Sequence, residues 1–125
     1  MKRTIQNIDL IELEIKEFKW NKCVFITEFH FLKVLNKYFE EVSVLETQLE
    51  YKEVDSTYII KLQFKSIQNL NLSCTTDYGI QLSSFEITDI SDDGWSDLNY
   101  KVNDYETENV KFYCNEIEII SVTRM

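Results

Sequence analysis

The chain has 125 residues, 44% of them hydrophobic and 28% charged, which is typical of a single globular domain and excludes an intrinsically disordered chain. Its 22 acidic residues against 13 basic ones give a net charge of −9, and Lys101 is the only basic residue between Lys65 and Lys111. Because nucleic acids and anionic membranes are bound through clustered Lys and Arg, neither is an expected partner. Acidic side chains interrupt the N-terminal stretch and no segment has the apolar length of a membrane helix, so we expect a cytoplasmic protein.

Residues 1–42 are predicted to be rich in helix. Thr27 is a suitable N-cap for a helix that continues through Glu41. The stretch from Ile8 to Phe18 fits a helical stripe and an alternating strand equally well, so both remain open. The apolar side of the predicted helix from Thr27 would carry Phe31, Leu32, Leu35, Tyr38 and Phe39.

From residue 43 onward, alternating apolar and polar residues predict strands. The runs Val44–Lys52 and Tyr58–Lys65 predict an antiparallel hairpin. In the segment that contains Ile80, Leu82, Phe85 and Ile87 the alternation shifts by one residue, and a β-bulge at Ser83–Ser84 would keep all four side chains inward. The remaining predicted strands are Leu70–Cys74, a strand that contains Leu98, Tyr100 and Val102, and a last strand from Val110 to Val122.

These strands are short, closely spaced and joined without crossover helices, which predicts a mainly antiparallel sheet of about six strands. The expected fold class is therefore α+β, with one or two N-terminal helices packed with that sheet. No linker or composition shift divides the chain, so we expect a single domain, 1–125, with a helix-rich part at 1–42 and the sheet at 43–125.

The chain offers few residues for catalysis or metal binding. Cys23, Cys74 and Cys114 are widely spaced and form no Cys-x-x-Cys pair, which argues against a disulfide framework and a zinc site. Cys74 and Cys114 continue alternating patterns and are expected in the core. With His30 as the only histidine and two distant glycines, neither a histidine-based site nor a phosphate-binding loop is indicated. We expect no enzymatic activity, no catalytic residue, no cofactor and no bound metal.

The acidity is concentrated between Glu86 and Glu108. This segment contains eight carboxylates and a single basic residue, Lys101. Carboxylates steer a basic protein toward the surface, and large aromatic rings anchor it there. Tyr100 alternates with neighbouring apolar residues and is expected to point inward, whereas Lys101 and Asn103 are expected outside. The predicted partner-binding surface consists of Asp92, Asp93, Trp95, Asp97, Asp104, Tyr105 and Glu106.

Two other functions remain open beside a protein-binding surface, a calcium-binding or structural module and a hydrolase. The loop Asp89–Asp97 has oxygen ligands and a glycine spaced as in an EF-hand, but Tyr100 stands where that loop needs a bidentate glutamate. A hairpin loop is the favoured interpretation, and a small acidic calcium-binding or structural interaction module is the alternative function. A hydrolase with paired carboxylates would need a desolvated acid, which the sequence does not indicate. The oligomeric state is undetermined, since an exposed sheet edge can pair two copies.

The C-terminal half resembles a known family of small bacterial proteins. The segments Phe85–Trp95, Tyr100–Glu106 and Phe112–Cys114 are similar in strand pattern and in their mixture of aromatic and acidic residues to the immunity protein 50 family of polymorphic toxin systems. The resemblance implies a cytosolic antidote that binds and blocks a cognate toxin domain, often a nuclease. Nucleases are basic where they hold nucleic acid, so an acidic surface on this protein is suited to such a partner.

Overall fold

The computed structural model describes residues 5–73, 77–93 and 98–125, and only the backbone of Asp93. Within these ranges the fold is mainly β, with nine strands in two sheets and one short helix, α1 (Asp9–Glu14). The predicted predominance of antiparallel strands is confirmed, but the estimate of six strands is too low. The strands are β1 (Cys23–Leu35), β2 (Glu41–Lys52), β3 (Thr57–Lys65), β4 (Gln68–Leu72), β5 (Ile80–Gln81), β6 (Phe85–Asp89), β7 (Tyr100–Asp104), β8 (Val110–Cys114) and β9 (Glu116–Arg124).

The strands form two sheets, each with antiparallel pairing between neighbours. Sheet A has five strands in the order β5-β1-β2-β3-β9, and sheet B has four in the order β4-β8-β7-β6. The predicted hairpin of β2 and β3 is confirmed, with Glu53 N–H donating to the carbonyl of Ser56 at its turn. The described strands are thus layered as in a two-sheet β protein.

The core lies between the two sheets because each strand turns alternate residues inward. Phe64 of sheet A and Phe112 of sheet B are both 1% exposed, and their rings meet edge to face with centroids 4.9 Å apart. From α1, Ile11 joins the same core, as does Ile15 just after it. Tyr100 and Val102 point inward as predicted.

The predicted helix from Thr27 to Glu41 is wrong, since this segment forms most of β1, a turn and the start of β2. The side-chain Oδ1 of Asn36 accepts hydrogen bonds from the backbone N–H groups of Tyr38 and Glu40, which closes a turn where a helix would continue. Phe39 completes the turn with a positive φ of 62°. Pairing with β2 along the whole of β1 then overrides the helical spacing of the apolar residues.

The underestimate of strand number has two causes, the prediction of β1 as a helix and the passage of the chain between the sheets at tight corners, which divides two of the predicted strands. β3 in sheet A leads to β4 in sheet B through Ser66, whose φ is 59°. Ser83–Ser84 does not form a bulge within one strand but connects β5 of sheet A to β6 of sheet B, again with a positive φ at Ser84. The predicted strand Val110–Val122 is interrupted in the same way at Asn115. Residues on both sides of each corner stay inward, so alternation alone does not reveal the change of sheet.

The ambiguous segment from Ile8 to Phe18 contains α1, and the chain becomes extended at Ile15. Apart from two single 3₁₀ turns, α1 is the helical structure of the described residues, so the expected helix-rich N-terminal part is not found. No helix in these residues has the length and apolar character needed to cross a membrane.

Candidate protein-binding surfaces

The predicted contact residues fall at opposite ends of β7. Asp92 and the backbone of Asp93 lie in a 3₁₀ turn after β6, whereas Tyr105 and Glu106 follow the other end of β7. A five-residue strand separates the two groups by about 13 Å. Trp95 and Asp97 lie outside the described residues. The structure therefore does not gather Asp92, Tyr105 and Glu106 into one cluster.

Asp104 is not a surface residue, contrary to the prediction. Its side chain is 0% exposed, and its Oδ1 accepts a hydrogen bond of 2.8 Å from the backbone N–H of Val110. Its Oδ2 accepts a hydrogen bond from the hydroxyl of Thr107. Asn103 is also buried, where we expected exposure. The turn between β7 and β8 folds back over the end of β7, and the carboxylate of Asp104 supplies the acceptors that this turn needs.

The surface that remains exposed here lies along β6, the edge strand of sheet B, and carries the exposed carboxylates of Glu86, Asp92, Glu106 and Glu108. Tyr105 is 71% exposed, and the ion pairs formed among the described residues involve none of these four carboxylates. Tyr105 N–H donates to the carbonyl of Ser84, and Ser84 Oγ donates to Glu106 Oε1 at 3.0 Å. These bonds hold the turn after β7 beside Ser83–Ser84, where β6 begins. We define the acidic rim as Glu86, Asp92, Tyr105, Glu106 and Glu108.

A second exposed surface was missed by the sequence analysis. Beyond Thr27, β1 and β2 continue as a long hairpin whose β1 residues are exposed or half-buried. The sequence signal for it is the alternation Phe29-His30-Phe31, which is typical of a strand although the wider spacing of apolar residues predicts a helix. The large apolar side chains exposed on this hairpin are Phe29, Phe31, Val34, Leu35, Tyr38 and Phe39.

An open groove of about 700 Å³ lies on the outer face of sheet A, between this hairpin and the beginning of β9. Among the described residues that line it there is neither histidine nor cysteine. His30 stands nearby on β1, where its exposed ring lies 3.7 Å from a carboxylate oxygen of Glu46. In the described part of the chain no three His, Cys, Asp or Glu side chains are grouped to hold a metal ion. The EF-hand-like loop is described only as far as Asp93.

One buried carboxylate lies outside the acidic stretch. Glu50 of β2 is 4% exposed, accepts a hydrogen bond from the hydroxyl of Tyr78, and lies 3.5 Å from Lys52 Nζ. This hydrogen bond raises the pKa of Tyr78, because the phenol must stay protonated to donate. Tyr78 also packs edge to face on Phe25. The contacts hold the segment before β5 against sheet A, which is a structural role.

The thiols of Cys23 and Cys114 are buried and free, and burial raises the pKa of both. We expect neither to react with iodoacetamide in the folded protein, whether at pH 7 or at pH 9, because the thiolate is the reactive form.

The unfolded chain loses these thiol protons above about pH 9 and the folded chain keeps them, so the two thiols should lower the free energy of unfolding as pH rises beyond that value. Peptide mass spectrometry after labelling, with urea-unfolded protein as control, checks reactivity; labelling of either site in the folded protein contradicts it.

The described residues thus define a two-sheet antiparallel β protein with an acidic rim on one sheet and an apolar hairpin on the other. No family model matches the chain, and no curated protein or solved structure is significantly similar to it.

Proposed function

We propose that the protein is a non-enzymatic immunity protein of the cytoplasm that binds and neutralises a basic toxin domain, such as a nuclease. The observation that supports this proposal best is the acidic rim, whose carboxylates are exposed and are absent from the ion pairs of the described residues. Uncompensated carboxylates attract a basic domain from a distance and occupy the surface with which it would bind nucleic acid.

Within the acidic rim, we assign Tyr105 as the aromatic side chain that anchors the partner. A tyrosine that is largely exposed in the free protein can bury a large ring and still hydrogen-bond through its hydroxyl when a partner covers it. The backbone bond from Tyr105 N–H to Ser84 holds the turn in place, so little order must be gained on binding. Trp95, Asp93 and Asp97 belong to the same acidic stretch of sequence and remain predicted contacts with the partner.

The direct test uses the toxin domain that the proposal predicts at the C-terminus of a neighbouring upstream gene product. Co-expression with the present protein is expected to restore growth that this domain suppresses, and the two should co-purify. A growth defect that persists with full expression of both proteins, together with no co-purification, would contradict the proposal.

Charge neutralisation in the acidic rim is expected to slow association with that domain. The variant Glu86→Gln/Asp92→Asn should lower the association rate constant about 3- to 10-fold at low ionic strength and flatten its dependence on salt, because long-range attraction is reduced. Tyr105→Ala should instead act on dissociation and weaken binding by about 2 kcal/mol. Surface plasmon resonance at several salt concentrations measures both.

The matched control is Glu12→Gln/Glu14→Gln, which removes the same two charges from exposed positions of α1. This variant should leave the association rate nearly unchanged. Equal slowing by the two double variants would mean that net charge alone matters and that the acidic rim is not the contact surface.

A further inference from the structure

The outer half of β1 is an open strand edge within the described chain. β5 pairs with β1 only at Phe25 and Ile26, so β1 has β2 as its sole described neighbour from Glu28 to Leu35. Every residue of this stretch is exposed except Leu32, which is half-buried. Open edges carry unpaired N–H and C=O groups, and natural proteins usually protect them with charges, prolines or bulges. Here the charged side chains of the stretch are Glu28 and Lys33, with His30 between them, and the chain has no proline.

The hydrogen-bonding phase of β1 shows which groups are free to pair. Asn36 N–H donates to the carbonyl of Glu40, and hydrogen-bonded pairs alternate along an antiparallel ladder. Even-numbered residues such as Val34 and Leu32 therefore bond to β2. The N–H and C=O groups of the odd-numbered residues Phe29, Phe31, Lys33 and Leu35 point to the open edge.

The side chains along this edge are apolar on both faces of the sheet. Phe29 and Phe31 stand opposite Thr47 and Leu45, so they continue the core face of sheet A, yet they are 49% and 47% exposed. Half of a phenylalanine surface is about 100 Å², so the two rings alone present an apolar patch of about 200 Å². On the opposite face lie Leu32 and Val34.

Charge favours a second copy of this chain at this edge. The segment 23–39 contains Lys33 and Lys37 against Glu28, a net charge of +1, in a chain whose net charge is −9. Two copies that meet through the acidic stretch from Glu86 to Glu108 bring like charges together, whereas two copies that meet here do not. A basic partner would gain no attraction from this segment.

We propose that two copies of the protein pair through the open edges of β1, antiparallel, about a two-fold axis that passes beside Leu32. This is the symmetric register that pairs all four free odd residues, with Phe29 against Leu35 and Phe31 against Lys33 of the partner copy. In this register Asn36 lies opposite Glu28 of the partner copy, and the hairpin turn comes next to the end of the partner's β5. The strands β9, β3, β2 and β1 of each copy then form a continuous sheet of eight strands, with each β5 at the end of the paired stretch. The interface is isologous and covers the exposed apolar residues of β1.

The expected mass of the wild-type protein in solution is twice the chain mass of 15.0 kDa, with dissociation on dilution. Analytical ultracentrifugation over a range of concentrations, up to millimolar, measures it. Phe31→Lys should give a monomer at concentrations where the wild type is a dimer, because it places two lysines opposite each other. Phe31→Lys/Lys33→Glu should restore the dimer by turning that repulsion into an ion pair.

Two controls separate pairing from loss of folding and from general surface charge. Phe31 is half-exposed, so its replacement should leave the melting temperature of the monomeric fold nearly unchanged in circular dichroism. Phe39→Lys adds the same charge at the hairpin turn, outside the paired stretch, and should remain a dimer.

Cysteine cross-linking tests the register. Leu32→Cys should form an intermolecular disulfide under copper–phenanthroline oxidation, because residues opposite each other in a non-hydrogen-bonded pair have Cα atoms about 4.5 Å apart. Val34→Cys, two residues along the same face, should not, since its copies lie about 13 Å apart in this register. The wild type under the same oxidation is the background.

A wild type that stays monomeric at millimolar concentration would overturn the inference and leave the edge to a strand from another protein. A dimer that is insensitive to Phe31→Lys, or one that cross-links through Val34→Cys and not Leu32→Cys, would overturn it as well. The inference does not rest on the proposed function, because the acidic rim lies on sheet B and can be tested with monomeric Phe31→Lys.

Discussion

Phe112→Ala is expected to destabilise the protein by about 3–5 kcal/mol, the range found for truncating a fully buried phenylalanine. The ring of Phe112 is 1% exposed and meets Phe64 across the two sheets. Its removal leaves a cavity at the contact between the layers, which can collapse only if the sheets move. Since domains of this kind have unfolding free energies of about 5–15 kcal/mol, one substitution would remove a large part of the total.

Urea unfolding followed by tryptophan fluorescence measures this change. The variants Phe64→Ala and Phe112→Ala, alone and combined, form a double-mutant cycle whose coupling should be about 0.5–1.5 kcal/mol for an aromatic pair in contact. Phe39→Ala, at an exposed position, is the matched control and should change stability by less than about 0.5 kcal/mol. A loss below about 1 kcal/mol for Phe112→Ala would contradict a shared core between the sheets.

Asp104→Ala is expected to cost about 3 kcal/mol of unfolding free energy. The variant removes a charged acceptor that takes two hydrogen bonds, and it leaves the buried N–H of Val110 without its acceptor. Asp104→Asn should cost less, because its amide can keep an oxygen toward Val110 and a nitrogen toward Thr107. Urea unfolding again measures both variants.

Glu106→Ala is the control for Asp104, since it removes an exposed carboxylate from the same turn. Its effect on stability should stay below about 1 kcal/mol. The folded Asp104→Asn variant should bind a partner as well as the wild type, because the side chain is covered. If Asp104→Asn kept full stability but lost binding, Asp104 would act at the surface as the sequence suggested.

The sequence predicted strands well wherever one face of the strand is buried. Between residues 44 and 65 the alternation identified both β2 and β3 and the inward residues of β3, Ile60, Leu62 and Phe64. The prediction failed from Thr27 to Glu41, because this hairpin extends past the core and loses the polar outer face that makes a strand recognisable. The spacing of the apolar residues from Thr27 to Glu41 fits both one helix and two strands joined by a turn. The hydrogen bonds that Asn36 accepts close that turn and so favour the two strands.

The candidate site was predictable in part for a similar reason. Exposure of Tyr105 and Glu106 followed from their position after the inward-facing strand with Tyr100 and Val102. Burial of Asp104 could not be predicted, because a carboxylate is normally exposed. It is buried here since its oxygens accept hydrogen bonds from the N–H of Val110 and the hydroxyl of Thr107 in the β7–β8 turn. The count of carboxylates therefore overstated the acidic surface.

By itself the sequence determined that the chain from residue 43 onward forms mainly antiparallel strands, that the negative charge is concentrated from Glu86 to Glu108, and which residues of most of these strands face inward. These are local properties, set by the two-residue period of a strand and by composition. Only the tertiary structure decided that the strands divide into two sheets and that Asp104 is buried. It also decided that, among the described residues, β1 has β2 as its sole neighbour beyond Thr27 and exposes Phe29 and Phe31. Each of these features depends on which strands become neighbours. Strands pair through backbone N–H and C=O groups, which are the same in nearly every residue, so the sequence does not show which strands will pair.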